Sequence, residues 1–419
     1  MRISTVQIFN IANNAMADAS EAILKTQKQL STGQRILQPS DDPVASTKIL
    51  AINEELSVIS QYQNNINIAK NDLVIEESIL DGTLNIIQRI QELAVQAGNT
   101  ATLSPSEYKS LSNEVDSRLD EMQSMLNTQN SNGDYIFGGF KSKGEPFTGS
   151  ANNGYHYNGD DGQKFIKVAN STFIASSDSG KDIFVDVESE RATINTYASP
   201  SNRSNPPVQI SIGNIIDQDA YDDFYPEDMV ISFNLDSNII PAGKNYTVTE
   251  KSTGRIIAAD QSYSPGSEIQ LNGVSIRITG NPVSATGATP GDTLFVDSSN
   301  RQDILTTMAR FSDAMKSFDG SEETRDALLA NVADTLDNLK SAQTSVLEVT
   351  SKIGARFNTL ESTEELHGDS DVVMQQLLSD LRDIDYAEAA TRLSSQLLVL
   401  QAAQTAFARV SQLSLFDRL

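Results

Sequence analysis

The residues able to do chemistry are few and poorly spaced for it. His156 and His367 are the two histidines, and neither sits in an H-E-x-x-H pattern. Zinc sites draw several His or Cys ligands from close spacing, so this pair does not predict one. The chain has no cysteine, which removes thiol nucleophiles, thiolate ligands and a disulfide framework. The acidic stretch Asp217, Asp219, Asp222, Asp223, Glu227 and Asp228 offers oxygen ligands for calcium. It lacks the EF-hand ligand order with its central glycine, so a solvated surface loop is the favoured reading of 217–228. No G-x-S-x-G nucleophile elbow is present. Gly138 and Gly139 follow an apparent strand, but no phosphate-binding helix comes next, so they read as a bulge or close packing. Asp41-Asp42 stands before Pro43, where carboxylates cap helices better than they catalyse. No catalytic residue, cofactor-binding residue or metal ligand is assigned, and the chain is expected not to be an enzyme.

Composition narrows the class further. A chain of 419 residues predicts two or three domains. The net charge of −25, spread along the sequence, disfavours nucleic acid and anionic membrane surfaces as partners. No run of eighteen apolar residues is available to span a bilayer. The start MRISTVQIFNIANN has no basic region followed by an apolar one, so no cleavable secretory signal is expected.

The strongest signal is a seven-residue spacing of apolar side chains. At the C-terminus Tyr386, Leu393, Leu400 and Phe407 recur by seven, with Ala390 and Leu397 offset by four. This predicts one helix over 371–419, built to face another helix. Near the N-terminus Phe9, Met16, Ile23 and Leu30 show the same spacing, with Val6 beside them. Asn10, Asn13 and Asn14 fall near that seam, where buried Asn fixes register. Gly33 reads as the residue that closes this helix, and Gln38–Pro43 as a stiff joint.

Two longer rods lie inside these ends. Ile52, Ile59, Ile66, Leu73, Leu80, Ile87 and Ala94 predict a helix of about 75 Å, at about 1.5 Å per residue. Lys70 and Glu77 interrupt its companion series, making the middle of that seam the wettest. Ser104-Pro105-Ser106-Glu107 is a capping box opening a helix that folds back on the rod. Val332, Leu339, Val346, Ile353 and Leu360 mark the second rod, and Gly368 is read as its end.

Between the rods the period changes. Tyr135–Phe140 reads as a strand after the turn signal Asn132-Gly133. Further strands are expected at 164–168, 182–187, 208–212, 229–233, 246–248, 269–278 and 293–296, with helical order returning at 299–301. The fold class expected is mainly α with an inserted antiparallel β domain, the long helices of both chain ends packing together. The divisions are a terminal assembly domain (1–40 and 369–419), a helical rod domain (41–147 and 300–368) and a β insertion (148–299).

Leu30-Ser31-Thr32-Gly33-Gln34-Arg35-Ile36, followed by Ser40-Asp41-Asp42, resembles the N-terminal signature of the bacterial flagellin superfamily. The start Met1-Arg2-Ile3-Ser4-Thr5, the Gln38–Pro43 joint, the segment Asn132–Phe140 and the ending Leu413–Leu419 are more like the superfamily's hook–filament junction subunits than like flagellin itself. Gly273–Pro282, with Gly291-Asp292-Thr293, resembles a β module of larger hook-associated proteins.

The resemblance implies a structural subunit joining the hook region to the filament, needed for filament assembly and swimming motility. The alternative is a flagellin filament subunit with a variable β insertion. It also implies type III export without a cleaved signal peptide to an extracellular place in the flagellum. The implied partners are identical subunits in a ring, a neighbouring hook-associated protein, flagellin, and an export chaperone on the C-terminal helix. The assembly surface would use Val6, Phe9, Met16, Ile23, Leu30, Tyr386, Leu393, Leu397, Leu400 and Phe407.

Overall fold

The computed structural model describes the backbone of residues 5–99 and 103–416, and the side chains of residues 7, 9–99 and 103–409. Helices α1 (Thr5–Thr32), α2 (Pro43–Ala97) and α3 (Pro105–Leu126) come first. Strands β1 (Phe147–Ser150), β2 (Gly154–Tyr157), β3 (Phe165–Lys167), β4 (Phe173–Ala175), β5 (Glu188–Ala198), β6 (Gln209–Ile210) and β7 (Asn214–Ile215) follow. The short helix α4 (Gln218–Asp222) precedes β8 (Met229–Phe233), β9 (Asn245–Glu250), β10 (Ile256–Ser262), β11 (Glu268–Leu271), β12 (Val274–Thr279) and β13 (Thr293–Arg301). Helices α5 (Ile304–Ser317), α6 (Glu322–Arg382) and α7 (Tyr386–Phe416) complete the chain. The fold is thus mainly helical, with terminal helices and a central antiparallel β region.

Local chemistry sets the helix starts. Asp42 Oδ1 accepts the Ala45 N–H at 3.0 Å just before α2, with Pro43 at the first helical position. Ser104 donates its N–H to the Glu107 carboxylate at 2.7 Å, as a capping box requires. Asp303 Oδ1 accepts the Thr306 N–H at 2.7 Å at the head of α5.

The chain forms two compact units, 1–65 with 361–419 and 66–360. In the larger unit Ile66, Leu73, Leu80, Ile87 and Ala94 of α2 are fully buried and share one core with α3, α5 and the 328–360 part of α6. Phe137, Phe147, Phe184 and Ile212 join that same core, so residues 136–187 belong to the helical body.

A second core lies in the β region. One sheet runs β10-β9-β8-β13-β5, and the other runs β11-β12-β6 with β7 also on β12. Met229, Ile231 and Phe233 of β8 alternate inward with Val248, Leu294 and Val296, and meet Ile210, Ile276 and Ile278 of the second sheet. Every strand pairing in these sheets is antiparallel. Strand β5 carries the chain in and β13 carries it out, paired from Arg301↔Glu188 to Leu294↔Ala198.

Several expectations are corrected. Tyr135–Phe140 is no strand: Ile136–Gly138 is a 3-10 turn, and Gly139 adopts φ 65°. The 182–187 stretch is a π-type turn at Lys181–Val185, its apolar residues plugging the helical core. The 269–278 stretch is a hairpin of β11 and β12, turned at Asn272-Gly273. Order at 299–301 is the end of β13, not a helix. Gly368 does not end the second rod. Helix α6 passes through it to Arg382, because one interior glycine costs only about 1 kcal/mol against a long helix. The break falls at 383–385, so 371–419 is not a single helix.

Candidate assembly interface

The first feature of the smaller unit is a clasp between two chain reversals distant in sequence. The turn after α1 meets the turn between α6 and α7. Arg35 N donates to Arg382 O at 2.7 Å, and Ile384 N donates to Gly33 O at 2.9 Å. Gln34 and Asp383 pair as an antiparallel bridge. Arg35 Nη2 adds a bond to Leu381 O at 2.8 Å. Gly33 sits at φ 70°, and a Cβ there would meet Tyr386 Oη at 3.0 Å, so both backbone and space favour glycine.

The joint after the clasp is set by two adjacent carboxylates. Asp41 Oδ2 accepts the N–H groups of Leu37 at 3.0 Å and Gln38 at 3.1 Å, while Lys25 Nζ lies 2.6 Å from Oδ1. The Lys25 bond first, then the Leu37 N–H, holds the Asp41 carboxyl below the usual carboxylate range. Asp385 Oδ1 caps α7 through Ala387 N at 2.8 Å and Glu388 N at 3.1 Å. The clasp thereby directs α1 and α7 along one another.

Along that pair the expected surface residues divide. The Phe9 and Phe407 rings lie 5.0 Å apart, and Met16, Ile23, Leu30, Leu393, Leu400 and Phe407 are half-buried. Phe9, Tyr386 and Leu397 are 49%, 59% and 50% exposed, so the α1–α7 pair leaves much of each uncovered, although Phe9 still touches Phe407. The Val6 side chain lies outside the described residues. Asn10, Asn13 and Asn14 are exposed rather than buried. Among the described residues of α1 and α7 the buried ones are Thr26, Gln29 and Ala389, which the seven-residue spacing missed. Gln29 is held there because its Nε2 donates to Arg35 O at 2.5 Å, tying the seam to the clasp.

Much apolar surface in this unit remains open. Leu24, Leu50, Val372, Val373, Leu398 and Val399 are all 57–69% exposed. So many large apolar side chains left exposed on helices suit an interaction role. Within the same unit His367 is buried and stacks on Tyr62 at 5.4 Å, an aromatic packing role. In the larger unit His156 is exposed, its Nε2 3.2 Å from Asn153 O.

Much of the acidic stretch is engaged in local bonds. Asp217 caps α4 through Ala220 N, Glu227 accepts Ser252 N, and Asp228 accepts Ser298 N and Lys251 Nζ. Among the described residues no group of three or more His, Asp or Glu is placed to hold a metal ion. No described helix is long and apolar enough to cross a membrane.

Comparison with known proteins places this geometry. Residues 3–142 match the bacterial flagellin N-terminal helical region, and residues 336–419 match the bacterial flagellin C-terminal helical region. The chain is similar to flagellar hook-associated protein 3 of Salmonella typhimurium, 34% identical over 156 residues, or 37% of this chain and 49% of the relative. That alignment spans about half the relative's length. Similarity to flagellar hook-associated protein 3 of Escherichia coli is 24% over 417 residues, covering 100% of this chain and 99% of the relative. The crystal structure of flagellar hook associated protein-3 from Legionella pneumophila superposes with a TM-score of 0.52 at 27% identity. It matches 80% of this chain and 98% of that one.

Proposed function

The chain belongs to the bacterial flagellin family, and from that premise we propose that it is a structural subunit joining the flagellar hook region to the flagellin filament. One observation carries the reading. The chain aligns end to end, β region included, with a flagellar hook-associated protein 3. A junction subunit is therefore favoured over a filament subunit with a variable insertion. Open apolar faces on the helices of the 1–65 and 361–419 unit fit such a role, because each large apolar side chain gains about 1.5–3 kcal/mol when a neighbour buries it. Identical subunits form a ring, a hook-associated protein lies on one side, and flagellin adds on the other. The chain reaches the exterior through the flagellar type III pathway without a cleaved signal, and an export chaperone covers the C-terminal helix meanwhile.

Deleting the gene tests the proposal: flagellin is then secreted into the medium but not assembled onto hooks, and motility is lost. Wild-type chain restores filaments, whereas Leu397→Asp does not, although Leu397 is half exposed and its replacement leaves the larger unit folded. Normal filaments in the deletion strain would overturn the reading. Long filaments grown from purified chain alone would instead favour the filament subunit.

A further inference from the structure

The middle of the first rod, expected to be its wettest part, holds a buried carboxyl one residue before Glu77. Glu77 is half-buried, while Glu76 is fully buried among the helices of the larger unit. Its Oε1 accepts the Asp178 N–H at 3.0 Å, and its Oε2 has no hydrogen-bond partner. Asp178, in the loop following β4, is itself buried. Arg356 of α6 grips that carboxylate with both arms, Nη1 to Oδ2 at 2.6 Å and Nη2 to Oδ1 at 2.8 Å, and Gln163 Nε2 adds a bond at 2.6 Å. The Arg356 charge is felt by both carboxyl groups, but its hydrogen bonds go to Asp178. Asp178 takes the guanidinium bidentately, which leaves a charged Glu76 uncompensated in a dry site.

We propose that Glu76 is carried as the neutral acid in the folded chain and directs its proton at the Asp178 carboxylate, making α2, α6 and the loop after β4 a proton-dependent latch. The charged groups facing Glu76 are Asp178 from the loop and Arg356 from α6. Along its own helix Glu77 is the adjacent residue and half-buried, and Asp72, one turn back, is held by Asn130 Nδ2 at 3.4 Å and lies in the field of Lys164 and Asp134. Burial first, then the Asp178 charge, pushes the Glu76 carboxyl up to about 8 from its ordinary 4.5. The folded chain therefore keeps a proton that the unfolded chain releases. The latch is at full strength below the ordinary glutamate range and weakens as pH rises to about 8. Over that interval Glu76 raises the unfolding equilibrium constant by up to about tenfold per pH unit.

Urea unfolding of the full chain from pH 5 to pH 9, followed by circular dichroism, tests this with Glu76→Gln, which mimics the neutral acid. The variant is expected to match the wild type near pH 5 and to exceed it increasingly toward pH 9. Parallel pH profiles would overturn the latch. A second measurement stands if the variant fails to fold: wild-type chain labelled with 13C at its glutamate carboxyl carbons is titrated by NMR. One glutamate resonance should move from acid to carboxylate near pH 8. Complete ionisation of every glutamate by pH 6 would overturn the proposal.

Discussion

At the scale of single residues, the most consequential polar groups of the larger unit are two that no motif announced. Glu76 is one and Arg310 is the other. Arg310 sits on α5, fully surrounded, and its guanidinium donates to the carbonyls of Gly213 at 2.8 Å, Ile194 at 2.8 Å and Ile212 at 3.2 Å. It also reaches Thr193 Oγ1 at 2.7 Å and Gln302 Oε1 at 2.5 Å. Burial pulls the guanidinium down to about 10, with the Asp303 carboxylate opposing the shift. A planar fork with five donors suits this set of acceptors, and a lysine ammonium does not. Arg310→Met leaves three carbonyls without their donor, so we expect a loss of about 3 kcal/mol or more in urea unfolding. Arg310→Lys should recover only part of it. A variant as stable as wild type would show that water replaces the guanidinium.

Elements are held by their ends as much as by their stripes. Asp385 caps α7 with two backbone bonds, so Asp385→Ala should cost about 1 kcal/mol, seen as faster hydrogen exchange in the first turn of α7 with the larger unit unchanged. Gly368 gives the opposite case. A Cβ there meets nothing within 4 Å, and α6 runs straight through, so Gly368→Ala should stabilise the helix by up to about 1 kcal/mol. Destabilisation would restore the reading of Gly368 as a helix end. The long helices were legible because Ile66, Leu73, Leu80 and Ile87 repeat at a fixed interval and each is buried. Strand β8 was legible for a similar reason, its apolar residues alternating between core and surface. Strand β5 was not: Glu188–Ala198 is polar on much of its length and gains its place by pairing with β13. Lys181–Val185 misled because a short apolar run fits a buried turn as well as a strand. In the candidate interface, glycine at position 33 was legible from helix-stop chemistry. Its backbone partner Ile384 was not, since main-chain bonds between distant turns leave no mark on side-chain pattern.

The whole molecule divides into units with unequal means of support. Residues 66–360 hold two apolar cores, one among helices and one between sheets. Among its described residues the α1–α7 pair has no comparable interior: Met16, Ile23, Leu393 and Leu400 remain half exposed, and Leu397, Leu398 and Val399 face solvent. Two helices sharing one partly covered seam offset little of their ordering entropy, which is about 1–2 kcal/mol per residue for backbone alone. In the assembly proposed above, neighbours cover those faces, which predicts that the order of the terminal helices is tied to assembly. Hydrogen exchange on a verified monomer measures that coupling. Amides of 66–97 and 328–360 should exchange slowest, near the limit set by global unfolding, while those of α1 and α7 exchange through cheap local opening. In assembled flagella the terminal amides should become as slow as those of the larger unit. Protection across 393–407 in the monomer equal to that across 80–94 would mean the pair is stable unaided, and the open apolar faces would then need another explanation.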